Sequence, residues 1–182
     1  RIKLQLTMLR ESSPDTGAEI SDLESDIAEM EKMIDEYLAF ARGQGGEAPV
    51  PADLSALLSD IVEGARRNGT VLELDAEAAL NLPLQPNAIK RCLTNLIDNA
   101  VRYGEQVEIR ARRVGESVEV LVEDDGPGIP PESIEDVFKP FYRLDNSRNP
   151  NYAGAGLGLA IARDVARSHG GDIMLQKSAL GG

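Results

Sequence analysis

The sequence is poor in the residues that build disulfides and metal sites. Its 182 residues include one cysteine, Cys92, one histidine, His169, and no tryptophan. A single cysteine excludes an internal disulfide and a cysteine-rich zinc cluster, and a His/Cys metal site would lack ligands. Any histidine chemistry intrinsic to the chain therefore has to use His169.

Long apolar runs and positive charge are scarce as well. No stretch reaches the roughly 18 apolar residues of a membrane-spanning helix, and no signal peptide opens the chain. With Lys+Arg 19 against Asp+Glu 31, the formal net charge is -12, which disfavours a general nucleic-acid binder because such proteins present a basic face. A composition of 42% hydrophobic and 27% charged residues is typical of a soluble globular protein, here one domain with or without a small helical piece.

The first part of the chain predicts a helical hairpin. Residues 1–11 have the spacing of a helix end, 12–17 are turn formers, and 18–42 carry an unbroken heptad of apolar residues. A helix of about 25 residues with one narrow seam cannot bury that seam alone. We therefore predict that residues 1–42 form a partial hairpin, which pairs with a second copy in a dimeric four-helix bundle. A hairpin packed on its own domain is the alternative.

A glycine- and proline-containing linker is predicted at residues 43–52, and an α+β domain at 53–182. The predicted elements of that domain are a helix from Asp53 or Ser55 to Arg67, a strand at Val71–Leu74, a helix at Asn87–Arg102, a strand hairpin at Val107–Arg113 and Ser117–Glu123, and a helix at 157–168. The chain begins inside a helical pattern and ends soon after the strand-like Ile173–Leu175. We therefore expect a piece of a longer protein.

The first polar cluster lies on the predicted helix that ends near Tyr103. Asn95, Asn99 and Arg102 stand at i, i+4 and i+7 and share one face, opposite an apolar stripe. An amide oxygen is a hard ligand that suits Mg²⁺, which takes few protein ligands and completes its shell with phosphate oxygens. The face is a candidate ligand surface, and a solvated helix face is the alternative.

Two glycine-rich clusters follow. Asp124–Gly128 comes directly after a strand, where a carboxylate can accept a hydrogen bond from an exocyclic amine such as that of adenine. Gly154–Gly158 opens a helix whose free N–H donors and dipole favour phosphate, but it fits neither a P-loop nor the dinucleotide fingerprint. Between them, Phe138 and Phe141 predict a lid that packs over a site. An ordinary Asp-Gly turn and a plain core anchor are the alternatives.

In this order and spacing, the segments resemble the ATP-binding half of sensor histidine kinases, most of all osmosensor kinases of the EnvZ type. The N box is similar to Asn95–Tyr103, the first glycine box to Asp124–Gly128, the F box to Phe138–Phe141 and the second glycine box to Gly154–Gly158. The heptad helix resembles the second helix of the family's dimerisation and phosphotransfer domain. The resemblance implies a two-layer α/β sandwich of the histidine-kinase/gyrase type.

The resemblance also implies a site for ATP and Mg²⁺. Asn99 would ligand the metal, Asn95 would assist it or orient the attacking group, Arg102 would contact phosphate, and Asp124 would accept from the adenine amine. The implied site residues are Asn95, Asn99, Arg102, Tyr103, Asp124, Gly126, Gly128, Ile129, Lys139, Phe141, Arg143, Gly154, Gly156, Leu157 and Gly158.

The family's phosphoacceptor histidine is absent from this chain. It would lie on the first bundle helix, before what is here Arg1, and the final strand of the fold would follow Gly182. We interpret His169 as a helix-end residue, where the dipole favours a cation, and not as the phosphoacceptor.

For the intact parent, the resemblance implies a homodimeric bacterial inner-membrane sensor. This piece would be cytoplasmic, without direct membrane contact or nucleic acid as a partner. The parent would phosphorylate its own histidine and pass the phosphoryl group to an aspartate of a response-regulator receiver domain. The alternatives are a non-catalytic nucleotide-binding scaffold and an ATPase clamp of the gyrase or chaperone type, which carries a glutamate where Asn95 stands.

Overall fold

The computed structural model describes Ile27 and residues 47–66, 71–144 and 156–182. The predicted hairpin, residues 1–42, lies outside the described residues apart from Ile27, and its role in dimerisation stays a prediction. The described residues from 47 onward belong to one compact unit. None of the helices in this described part has the length and apolar character needed to cross a bilayer.

Three helices and five strands make up the described unit. In chain order they are β1 (Val50–Asp53), α1 (Leu54–Arg66), β2 (Val71–Ala76), β3 (Asn81–Leu84), α2 (Pro86–Tyr103), β4 (Gln106–Val114), β5 (Ser117–Asp124) and α3 (Gly158–Ser168). Two short 3₁₀ turns, Pro131–Ser133 and Asp136–Phe138, lie between β5 and α3. The α+β prediction is confirmed, because the helices and the strand hairpin predicted within residues 53–182 are present.

The strands form two sheets. β2, β4 and β5 make a three-stranded sheet in which β2 runs parallel to β4 and β4 pairs antiparallel with β5. The core is formed by the apolar side chains of these strands and of the helices α1 and α2. Leu58, Val62, Leu93, Ile97 and Ile109 are buried there. This two-layer packing directs the opposite face of α2 outward, and α3 packs beside α2.

The strands β1 and β3 were not predicted. They form a two-stranded antiparallel sheet in which Pro51 stands opposite Pro83. Proline cannot donate to a ladder and is a poor strand signal, so both segments look like turns in the sequence. Residues 50–52 of the predicted linker therefore lie in a strand.

The segment Ile173–Leu175, which has a strand-like sequence, forms no strand. Met174 is 78% exposed. Among the described residues, β5 pairs only with β4, so no strand lies on its second edge. A strand is defined by hydrogen bonds to a neighbouring strand, and among the described residues this segment pairs with none.

Candidate nucleotide-binding site

The polar face of α2 lies at the centre of the candidate site. Asn95, Asn99 and Arg102 are partly buried on it, while Leu93 and Ile97 anchor the opposite face in the core. The structure thus confirms that the three polar residues share one side of one helix. Within the described ranges, the amide of Asn99 and the guanidinium of Arg102 have no hydrogen-bond or ion-pair partner.

Several other arginines of the described unit, unlike Arg102, are engaged by described acceptors. Arg110 pairs with Glu108 and Glu123, Arg112 with Asp75, and Arg163 with Glu135 and Asp172. Arg66 and Arg113 donate to backbone carbonyls. An arginine without such a partner, beside two amides, is suited to an incoming anion.

Asn95 joins this face to the start of α3. Its Nδ2 donates to the carbonyl oxygen of Gly158 at 3.3 Å. The preceding residue, Leu157, makes no side-chain cap, and no side chain among the described residues accepts a hydrogen bond from the first-turn N–H groups of α3. Such groups and the helix dipole favour a phosphate. Leu157 is itself buried and belongs to the apolar interior.

A tight turn after β5 borders the C-terminal end of α2. Asp124 Oδ1 accepts the N–H of Gly126 at 2.9 Å. A Cβ on Gly126 would lie 2.9 Å from the carbonyl oxygen of Tyr103 and 2.7 Å from Asp124 Oδ1. Only glycine therefore allows this turn to approach the end of the helix so closely.

The neighbouring Asp125, which the sequence reasoning did not single out, fastens the same turn to the start of β4. Its Oδ1 accepts the backbone N–H groups of Glu105 at 2.7 Å and Gln106 at 2.9 Å. These hydrogen bonds, above all that from Gln106, hold the pKa of the Asp125 carboxyl below its ordinary value. The run Asp-Asp-Gly was the available signal, but nothing in it separates a ligand-facing carboxylate from a structural one.

The chain's last residue meets the first glycine box. Gly182 N–H donates to the carbonyl oxygen of Asp124 at 3.2 Å, and Gly128 adopts φ +71° with Gly182 close by. A left-handed φ is the reason for glycine at Gly128. Ile129, which follows it, is partly buried.

The predicted lid segment meets the second glycine box through the backbone. Phe141 N–H donates to the carbonyl oxygen of Gly156 at 2.9 Å. Gly156 adopts φ +68°, and a Cβ there would lie 2.7 Å from the carbonyl oxygen of Tyr142. Phe141 also has a positive φ and is 61% exposed, so it is not the core anchor considered as an alternative.

The remaining predicted site residues are placed less centrally. Lys139 is exposed and pairs with Asp136 at 2.5 Å, which raises the pKa of the lysine through a side-chain hydrogen bond. Arg143 is exposed, and Tyr103 is 42% exposed at the end of α2. Gly154 lies outside the described residues, so its part in the site stays a prediction.

The donor set fits a magnesium ion that is held mainly by phosphate. Among the described residues, no group of three or more His, Cys, Asp or Glu side chains could hold a metal alone. Mg²⁺ at nucleotide sites usually has one or two protein ligands, with phosphate and water completing the octahedron. The Asn99 amide, which no described residue engages, suits that role.

His169 lies at the end of α3, as predicted, but it is not a cation there. Its Nε2 accepts the N–H of Gln85 at 3.1 Å, and its Nδ1 lies 2.8 Å from the carbonyl oxygen of Val165. A ring nitrogen that accepts carries no proton, so the imidazole is neutral and its proton is on Nδ1. The expectation of a dipole-stabilised cation was wrong, because the ring also faces the positive N-terminal end of α2.

A comparison with protein families decides what this arrangement is. The model of the histidine kinase-, DNA gyrase B- and HSP90-like ATPases matches residues 84–182, which include α2, the Asp124 turn and α3. The chain belongs to this family. The family includes both histidine kinases and ATPases of the gyrase and HSP90 type. The individual relatives therefore indicate which of these groups the chain resembles.

Curated relatives of this ATPase-type domain include sensor histidine kinases. GtrS of Pseudomonas aeruginosa is 43% identical over 130 residues, which cover 71% of this chain and 26% of GtrS. CpxA of Escherichia coli is 31% identical over an alignment of 192 residues, which covers 100% of this chain and 41% of CpxA. The chain thus spans well under half the length of these relatives.

Solved structures similar to this chain also include histidine kinase domains. The histidine kinase domain of the Escherichia coli osmosensor EnvZ is 33% identical with a TM-score of 0.57, covering 76% of this chain and 86% of that one. The ATP-binding domain of PrrB from Mycobacterium tuberculosis is 28% identical with a TM-score of 0.62, covering 75% and 92%. The prediction of an ATP-binding sensor-histidine-kinase core with a two-layer fold is confirmed.

Proposed function

We propose that the chain binds Mg-ATP along the polar face of α2, with adenine at the Asp124 turn and the phosphates at the start of α3. The observation that carries this proposal is the hydrogen bond from Asn95 to Gly158, because it brings the amide face against an uncapped helix N-terminus. Two sources of phosphate affinity, N–H donors and polar side chains, therefore border one space.

Each end of the nucleotide has a chemically suitable partner. Asp124 uses Oδ1 for the turn, which leaves its second carboxylate oxygen for the adenine amine. Asn99 would ligand Mg²⁺, and the guanidinium of Arg102 would neutralise phosphate charge. Lys139 and Arg143 would add positive charge once the lid segment meets the phosphates.

In the whole protein, we propose that this domain transfers the γ-phosphoryl group to a histidine of the dimerisation domain. The histidine nitrogen forms a bond to phosphorus, the bond to the bridging oxygen breaks, and ADP leaves. The phosphoryl group then passes to an aspartate of a response regulator. Residues 1–42 would form the dimer, and the piece would be the cytoplasmic portion of a membrane sensor. Sensor histidine kinases among the relatives support this proposal.

His169 is not proposed as the acceptor. Both of its ring nitrogens are engaged, one by Gln85 and the other by Val165. A histidine has to present a free nitrogen lone pair to attack phosphorus. We therefore expect no acid-labile phosphate on His169 when the 182-residue chain is incubated with Mg-ATP, and its appearance there would contradict the assignment.

Calorimetric titration of the 182-residue chain tests the binding proposal. We expect ATP to bind in the presence of Mg²⁺ and to bind at least about tenfold more weakly in EDTA, because metal neutralises phosphate charge. Asn99→Ala should bind weakly in both buffers, whereas Asp98→Ala, a matched change at an exposed neighbour on the same helix, should behave as wild type. A wild-type chain that binds no Mg-ATP, or an Asn99→Ala variant that binds normally, would refute the proposal.

A further inference from the structure

The N-terminus of α2 is satisfied entirely by groups from other parts of the chain. Its cap residue Gln85 makes no side-chain cap, and Pro86 has no N–H. The Gln85 N–H is taken by His169, and the N–H groups of Asn87 and Ala88 are taken by the carboxylate of Glu47 at 3.1 to 3.3 Å. The first helical donors of α2 thus depend on two distant residues.

The bond to His169 is the first of three hydrogen bonds that join α2 to α3. Cys92 Sγ donates to the carbonyl oxygen of Ala162 at 3.4 Å, and Asn95 donates to Gly158 at 3.3 Å. From one contact to the next, the residue number rises along α2 and falls along α3. Seven residues separate the first two contacts on each helix, which is two turns, and one turn separates the second from the third. The helices therefore lie antiparallel in a defined register.

This register decides where Asn95 stands relative to the first turn of α3. A slide of one helix along the other would move the amide away from the Gly158 carbonyl and change the spacing between the α2 polar face and the α3 N–H groups. His169 is the contact farthest from the site, at the opposite ends of both helices. Its two ring nitrogens join Gln85 of one helix to Val165 of the other.

We propose that His169 is a positioning residue for the nucleotide, which locks α2 against α3 through a neutral, Nδ1-protonated ring. The proposal rests on the proposed Mg-ATP site. It gives the single histidine of the chain a role in binding ATP that needs no contact with ATP and no phosphorylation.

The ring state is tested by NMR without any nucleotide. Because the chain has one histidine, a long-range ¹⁵N–¹H correlation spectrum shows one imidazole. At pH 7.5 we expect a proton on Nδ1 and none on Nε2. A proton on Nε2 would overturn the proposal, whatever the chain does with ATP.

The effect on the site is tested by Mg-ATP titration at 10 °C, with the folded state of each variant checked by circular dichroism. His169→Phe keeps the ring volume and removes both hydrogen bonds, of which only the one to Gln85 reaches α2. We therefore expect the affinity for Mg-ATP to fall by about 3- to 10-fold, which corresponds to the loss of one hydrogen bond. His169→Gln, whose amide oxygen can accept from Gln85, should recover most of it. Ser168→Ala is the matched control, because that hydroxyl contacts Val165 and the His169 ring but not α2.

The outcomes are separable. If wild type does not bind Mg-ATP, the proposed function fails. If wild type binds and His169→Phe binds equally well, only the positioning role fails, and a lower urea midpoint without a change in affinity would show a merely structural role. Should His169→Phe not fold, a His169→Gln variant with fully lost affinity would overturn the proposal on its own.

Discussion

The turn at Asp124–Gly128 and the turn at Gly156–Gly158 both border α2, yet they are held by different contacts. The first is fastened by two neighbouring carboxylates and abuts the last helical carbonyl of α2, at Tyr103. The second is held by a side-chain amide, Asn95, and by one backbone bond from the exposed Phe141. The first turn, at the adenine end of the proposed site, is therefore part of the packed domain. The second turn, at the phosphate end, is held partly by a loop.

Because of this difference, we expect changes at the two turns to affect the free energy of unfolding and the affinity for Mg-ATP to different degrees. A change at the first turn has to move a helix end that is anchored in the core, so it should cost unfolding free energy and affinity together. A change at the second turn can be absorbed by the loop at residues 139–144, so it should cost affinity more than stability. Three substitutions can break or sharpen this contrast.

The largest effect is expected for Gly126→Ala. Its φ is not in the left-handed region, so the cost comes from the new Cβ against the Tyr103 carbonyl at 2.9 Å and Asp124 Oδ1 at 2.7 Å. Overpacking of this kind lowers the free energy of unfolding by about 1–3 kcal/mol. Urea unfolding and Mg-ATP titration should both show the loss.

Gly64→Ala is the matched control for that change. Gly64 lies in α1 with nothing within 4 Å of an added Cβ, so alanine should be neutral or stabilise by up to about 1 kcal/mol. If Gly126→Ala proved as stable as wild type, the first turn would not be packed against α2 as described.

A smaller loss of stability is expected for Gly156→Ala. Alanine at φ +68° is strained by about 1–2 kcal/mol, and its Cβ meets the Tyr142 carbonyl at 2.7 Å. Because Tyr142 belongs to a loop, we expect the loop to shift and relieve the clash. Mg-ATP affinity should then fall by more than the unfolding free energy indicates.

Gly115→Ala isolates the strain. Gly115 has φ +62° with nothing within 4 Å, so it carries the same backbone cost without the clash. Equal urea midpoints for the two variants, with affinity lost only in Gly156→Ala, would support the contrast. A Gly156→Ala chain less stable than Gly126→Ala would contradict it.

The elements around the two turns differ in how well they can be predicted from the sequence. α2 and the β4–β5 hairpin follow from local periodicity, since Leu93, Ile97 and Ile109 recur at the spacing of their elements and are buried. The shared face of Asn95 and Asn99 follows from helical geometry alone. Periodicity acts over neighbouring residues, so it predicts these features well.

Contacts between distant residues were not predictable in the same way. Glu47 caps a helix that begins some forty residues later, and His169 reaches Gln85 across 84 positions. No local pattern encodes either pairing, because it depends on the finished packing of α2, α3 and the linker end. For the same reason, the sequence predicted a cation at His169. In the structure, the ring accepts the Gln85 N–H at the start of α2, which requires a neutral imidazole.

The smallest effect is expected for Asp125→Asn, which tests the electrostatic share of the first turn. The pKa of Asp125 is lowered in the folded chain by the Gln106 and Glu105 N–H groups, so its charged form stabilises the fold. That stabilisation is complete above the unfolded aspartate value of about 3.9 and is lost as pH falls through the lower folded value. Wild type should therefore exceed Asp125→Asn in urea midpoint at pH 7 and lose this advantage below about pH 4. Asp98→Asn, the same substitution at an exposed site on α2, is the matched control. A gap at Asp125 that persisted unchanged to pH 2.5 would mean that shape, not charge, holds the adenine-end turn.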